Sequence, residues 1–184
     1  MNKKWSALPL LVIGGVCLSA AQSTQYKLGR PATADEIRKR DISVAPDGTG
    51  LPDGHGSVVE GRNIYKVLCA SCHGDRGQGV GDYPALAGGV GTLTSDNPVL
   101  TVGSYWPYAT TVWDYTHRAM PYQRPSTLTA NETYAVTAFI LFLNGILDEK
   151  AELNQKTLPQ VKMPNRAGFV PDPRPDVPAR KTGR

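Results

Sequence analysis

Apolar positions keep helical spacing in parts of this chain and lose it between them. In SVVEGRNIYKVLCA (57–70), Val58, Ile64, Tyr65 and Leu68 recur at that spacing and predict a helix running into a pair of cysteines. Gly61 sits inside it. A mid-helix glycine costs about 1 kcal/mol against alanine, so keeping one there points to a close helix contact. WPYATTVWDYTHRA (106–119) predicts a second helix, with Pro107 in its first turn and a stop before Pro121. TANETYAVTAFILFLNGI (129–146) predicts a third. Its N-cap is Thr129, its acidic first turn holds Glu132, its apolar face carries Ala135, Ala138, Phe139, Phe142 and Leu143, and Asn144-Gly145 form its C-cap.

Outside these runs the pattern is polar. TADE predicts a short helix over residues 33–39 through its capping-box spacing. Residues 74–104 are rich in Gly, Pro, Thr and Ser and read as loops, with DYPALAGG as a turn-rich stretch and no strand alternation of useful length. Most of the excess among the 15 prolines lies after Lys156, where extended or polyproline-like chain is expected. The 184 residues therefore read as one helical domain with tails.

The N-terminus changes the picture of where the chain works. Lys3 and Lys4 precede a short apolar stretch from Leu8 to Leu18, and Ser19-Ala20-Ala21 follows. That is the form of a signal peptide over residues 1–21, with an uncleaved anchor as the alternative. The stretch is short for a membrane span of about 20 apolar residues, and no later stretch qualifies, so no transmembrane span is expected after cleavage. Lipidation at Cys17 is the weaker reading, because Val16 is a poor residue before a lipidated cysteine. Cleavage leaves Cys69 and Cys72 as the cysteines and takes the net charge from +4 to about +2. A charge that small, with no basic run among aromatics, gives no reason to expect nucleic acid as a partner.

The chemistry lies in LCASCHGDRGQG (68–79), where Cys69 and Cys72 are followed at once by His73. In an oxidising compartment the cysteines could form a disulfide. A thioredoxin-like motif has this spacing but opens a helix between strands, whereas here the cysteines close a helix. A structural zinc site needs four ligands, and no second paired-ligand motif exists. Covalent haem needs what is present: two thiols spaced for the two vinyl groups and a histidine beside them for the iron. One haem c is therefore expected, held by Cys69 and Cys72 with His73 on the iron.

For the second axial ligand the chain offers Met120, Met163, His117 and His55. Met120, in RAMPYQRP at the end of a predicted helix and before a proline, is the favoured one; filling the core is its alternative role. Methionine ligation raises the potential and fills the sixth position, a site built for passing electrons. Leu86, Leu93, Trp106, Tyr108, Val112 and Leu143 are candidates for an apolar jacket. Pro84 is placed on the loop after the motif, against the His73 face. Arg118 and Arg124 could pair with haem propionates or be solvated surface residues.

The CASCH helix, the glycine loop, the central helix, the Met-Pro turn and NETYAVTAFILFLN together resemble a class I cytochrome c domain over residues 56–147. The resemblance implies an all-α fold of about four helices around a covalent haem. It also implies that the first and last of these helices cross at a small residue, Gly61 facing Phe139 or Phe142. The domain would occupy residues 57–147, between an N-terminal extension (22–56) and a Pro-rich C-terminal one (148–184). YKLGRPAT, DGTGLPDGHGSV, TVGSYWPYATTVWDYTHRAMPYQRPSTLT and VKMPNRAGFVPDPRPDV look like the cytochrome subunits of periplasmic sulfite- and sulfane-oxidising molybdenum enzymes, the SoxD-like group. In that family the haem subunit takes electrons from a molybdopterin subunit on a separate chain. The Sox version carries two haem domains; CxxCH occurs once here, which favours a shorter, single-haem relative.

The expected function is thus electron transfer, as the haem subunit of a molybdenum dehydrogenase. Long extensions fit that role, since proline-rich arms can lie along a partner at low ordering cost; wrapping their own domain is the other use for them. A free periplasmic electron shuttle between respiratory complexes is the competing reading, with other redox proteins as its partners. A haem enzyme or sensor would need an open sixth site, and the only distal acid-base group on offer is His117.

Overall fold

In a computed structural model, which describes residues 28–172 and 174, three helices begin in the same way. Thr33 with Glu36, Ser57 with Glu60, and Thr129 with Glu132 each form a complete capping box, the hydroxyl accepting from the third backbone N–H and the carboxylate accepting from the cap's own. They start α1 (Ala34–Arg40), α2 (Val58–Leu68) and α5 (Ala130–Leu143). Between them lie the one-turn α3 (Ala70–His73) and α4 (Ala109–Ala119). The expected signal peptide and the prolines beyond Asp172 lie outside the described residues.

Pro107 is not in the first turn of α4. The helix starts at Ala109 after Tyr108, an extended N-cap with no side-chain cap bond. A proline's fixed φ suits extended chain as well as a helix start. The other end is as expected. Met120 is an extended C-cap, as the residue before a proline tends to be.

Helices α2 and α5 cross at contact distance. A Cβ on Gly61 would lie 1.9 Å from the Ala135 carbonyl oxygen and 2.9 Å from the Phe139 Cβ. The crossing therefore falls on Ala135 and Phe139, one turn before Phe142. Gly56 meets the same residue, its would-be Cβ 2.2 Å from the Ala135 nitrogen. Residues 133–141 of α5 are all buried, because α2, α4 and the two extensions surround it. Tyr65 packs edge-on to Phe139 at 5.1 Å, and Trp113 of α4 meets Tyr134 at 5.4 Å.

The chain is not purely helical. β1 (His55–Ser57) pairs antiparallel with β2 (Glu152–Asn154), Gly56 opposite Leu153. This pair brings the C-terminal extension back onto the domain. Leu153, Leu158 (in a 3-10 turn, Leu158–Gln160) and Met163 are all in the core. Burying each leucine contributes about 1.5–3 kcal/mol, so the extension as far as Met163 belongs to the folded unit. The N-terminal extension is split. Val44 donates its N–H to Asp114 at 3.0 Å, Thr110 donates to the Pro46 carbonyl at 3.3 Å, and Tyr134 to that of Pro52 at 2.9 Å. Residues 28–43, α1 included, are all exposed. Among the described residues no helix is long and apolar enough to cross a membrane.

Candidate functional site

The cysteine turn is fixed by backbone bonds. Cys69 ends α2, its N–H on the Tyr65 carbonyl at 2.8 Å. Cys72 and His73 donate to the Cys69 carbonyl at 3.1 and 2.9 Å, and Gly74 to that of Ala70 at 2.8 Å. Gly74, at φ 76°, then turns the chain in the left-handed region that glycine tolerates. The buried Tyr65 hydroxyl donates to the Gly74 carbonyl at 2.9 Å and ties the turn to α2. Burial next to an apolar core pushes the Tyr65 hydroxyl's pKa upward, so it stays a donor.

The glycine loop returns under the turn. Leu86 and Ala87 both donate to the Gly77 carbonyl, at 2.7 and 2.9 Å. That closure sets the Pro84 carbonyl 2.9 Å from His73 Nδ1. A carbonyl only accepts, so Nδ1 carries the proton and Nε2 holds the lone pair a metal would take.

Cys69 and Cys72 are free thiols with no disulfide between them. Burial first, and Cys72 beside it second, pushes the Cys69 thiol up to about 11. Among the described residues no cluster of three or more His, Cys, Asp or Glu could hold a metal ion.

One cavity of about 410 Å³ gathers Cys69, Cys72, His73 and Met120 in its wall. Leu86, Val102, Trp106, Val112, Val136 and Ile140 supply much of the apolar remainder. No Asp, Glu, Lys or Arg lines it. The volume is in the range of a cofactor pocket. Two thiols, an imidazole with Nε2 free and a thioether, in an otherwise apolar wall, fit a covalently held haem and leave no carboxylate pair for acid-base chemistry.

Other expected site residues fall elsewhere. Arg118 and Arg124 are not in the cavity wall. Arg118 pairs with Asp114 one turn back on α4, as helix spacing favours, and the Arg124 backbone is held in a turn by Pro121. Leu93, Tyr108 and Leu143 are also outside the wall. His117 stacks on Trp113 at 4.8 Å, His55 is exposed in β1, and Met163 is 3% exposed within the core. In the wall but not anticipated are Tyr83, Leu100, Tyr115, Tyr122 and Gln123. Tyr122 and Gln123 directly follow Met120-Pro121 in sequence, a proximity that could have marked them.

The family model for cytochrome c matches residues 58–144. The fold is similar to that of a chain in the crystal structure of the sulfane dehydrogenase SoxCD from Paracoccus pantotrophus, with 47% identity, 81% of this chain and 73% of that one covered, and a TM-score of 0.75. This chain belongs to the cytochrome c family. Cytochrome c-554(547) of Halothiobacillus neapolitanus is 40% identical over 50 residues, 27% of this chain and 50% of that cytochrome. The match thus spans half the length of that relative. Membership implies covalent haem c and an electron-transfer role, and the mainly helical architecture is that of a class I cytochrome c.

Proposed function

We propose that this cytochrome is an exported, single-haem subunit that takes electrons one at a time from a molybdenum-containing sulfite or sulfane dehydrogenase. The observation that carries this reading is the reach of the SoxCD likeness. It covers 81% of the chain at 47% identity, whereas the cytochrome c match at residues 58–144 covers less than half. The shared part therefore includes extension as well as haem domain, and extensions are what a subunit has and a free shuttle does not need. The form of residues 1–21 supports export.

In this reading Cys69 and Cys72 would hold the haem covalently, and His73 and Met120, in the same wall, would offer its iron a nitrogen and a sulfur donor. Bound haem supplies a one-electron ferric/ferrous couple. His73, its Nδ1–H donating to the Pro84 carbonyl, presents Nε2 in a fixed orientation. Met120 supplies a soft thioether that favours the ferrous state. Val112, Val136 and Ile140 keep water from the buried side of the cavity.

The test is gentle purification from the native source, with molybdenum measured in the haem-containing fractions. Molybdenum at a stoichiometric level, with sulfite or thiosulfate reducing the haem, is the expected result. A haem protein free of molybdenum and reduced by neither would mean a free shuttle instead.

A further inference from the structure

Trp106 is the largest apolar side chain in the cavity wall, and it sits in a short stretch that its neighbours in sequence do little to hold. On one side, a buried knot of hydroxyls ends at residue 105. Ser104 donates to the Val99 carbonyl at 2.6 Å, Thr101 N–H donates to the Ser104 hydroxyl at 2.9 Å, and Tyr105 N–H donates to the Thr101 carbonyl at 3.0 Å. On the other side, α4 begins at Ala109 without a side-chain cap. Residues 106–108 span the gap, and Pro107 has no N–H to give.

The C-terminal extension grips both flanks of Trp106. Asn165 Nδ2 donates to the Tyr105 carbonyl at 2.7 Å. The Arg166 guanidinium lies 4.2 Å from the centre of the Tyr108 ring, well within the reach of a cation–π contact. The Phe169 ring meets Tyr105 edge-on at 5.2 Å. These residues are themselves anchored. Met163 is buried in the core, Arg166 N–H donates to its carbonyl at 3.1 Å, and Gly168 N–H donates to that of Asn165 at 3.2 Å.

We propose that residues 163–169 form a clamp that positions Trp106 against the cavity, and so limits how much water reaches the haem held there. The inference rests on the haem reading of the proposed function. Solvent exposure is one of the levers on a haem's potential, because water stabilises the more highly charged ferric state. A loosened Trp106 therefore lowers the potential and opens the haem to dissolved oxygen.

The experiment uses the full-length, haem-loaded protein carrying Asn165→Ala with Arg166→Ala. Arg166 is exposed and Asn165 half-buried, and neither is the buried Met163 anchor. The expected result is retained covalent haem, a melting temperature close to wild type, a lower reduction potential and several-fold faster oxidation of the ferrous form in air. Arg166→Lys with Asn165 intact restores most of the change, since an ammonium can still sit over the Tyr108 ring. In a Trp106→Phe background the clamp variant shifts the potential much less than in wild type, because the element it acts through is already altered. An unchanged potential and oxidation rate would overturn the proposal. So would a shift of full size in the Trp106→Phe background, which would mean that the clamp acts elsewhere. Wild-type protein without covalent haem would remove the proposed function and this inference together, whereas haem-loaded protein indifferent to the clamp would remove only the inference.

Discussion

His73 donates its Nδ1–H to the Pro84 carbonyl oxygen, 2.9 Å away across the glycine loop. The bond is made by main chain on one side, so it outlasts a change of side chain at residue 84. Pro84→Ala is expected to leave the haem spectrum and potential nearly unchanged. His73→Ala removes the nitrogen itself and should abolish the wild-type spectrum. Visible spectroscopy of the two purified variants checks the contrast, and equal loss in both would mean the proline ring, not the carbonyl, orients His73.

Met120 shares the cavity wall with His73. Met120→Ala should keep the haem on the chain, lower its reduction potential by on the order of 0.1 V, within the roughly 0.8 V that axial ligands span, and let carbon monoxide bind. Redox titration and a carbon monoxide difference spectrum read both effects. An unchanged potential would rule out Met120 as the ligand.

Gly61 tests the helix crossing. At a free helical site glycine to alanine stabilises by up to about 1 kcal/mol. Here the new Cβ would press on the Ala135 carbonyl, 1.9 Å away, and main chain cannot step aside as a long side chain can. Gly61→Ala is expected to cost about 1–3 kcal/mol, read as a lower urea midpoint. The sign decides the matter, since a gain in stability would mean that α2 and α5 are not in contact there.

Much of this was readable from residue order alone. Thr33, Ser57 and Thr129 each stand three positions before a glutamate, and each starts a helix, because a capping box is a local device. The cysteine turn is local too. What could not be read was long-range. Gly61 announced a close contact, but the apolar face of α5 gives a stripe and not a register, so the expected partners were Phe139 or Phe142 and the contact falls first on Ala135. The β1–β2 pair is three residues long on each side, too short for alternation to show. Met163 looked like part of a proline-rich tail because nothing periodic surrounds it; only the return of β2 to Gly56 buries it. For Arg118 two roles stayed open, pairing with a haem propionate or lying on the surface, and here it pairs with Asp114 four residues before it on the same helix.

The capping boxes predict an acid limb. Backbone and hydroxyl donors of Thr129 lower the Glu132 pKa, and Ser57 does the same for Glu60. A carboxylate whose pKa is lowered by folding stabilises the fold above its unfolded value, about 4.3 for glutamate, and that contribution is lost as pH falls through the folded pKa. Glu132→Gln should therefore cost only about 0.2–0.5 kcal/mol at neutral pH, because solvent screens this carboxylate, and progressively less below about pH 4. Urea unfolding of both proteins across pH 3–7 measures this, and a difference that held constant down to pH 3 would contradict it.

Electron transfer by this chain requires a covalently held one-electron centre. The most direct measurement is an anaerobic reductive titration of the purified protein, paired with haem staining after denaturation. One haem should stay on the denatured chain, and each chain should take up one electron. Haem that washes away on denaturation, or a protein that takes up no electron, would contradict it.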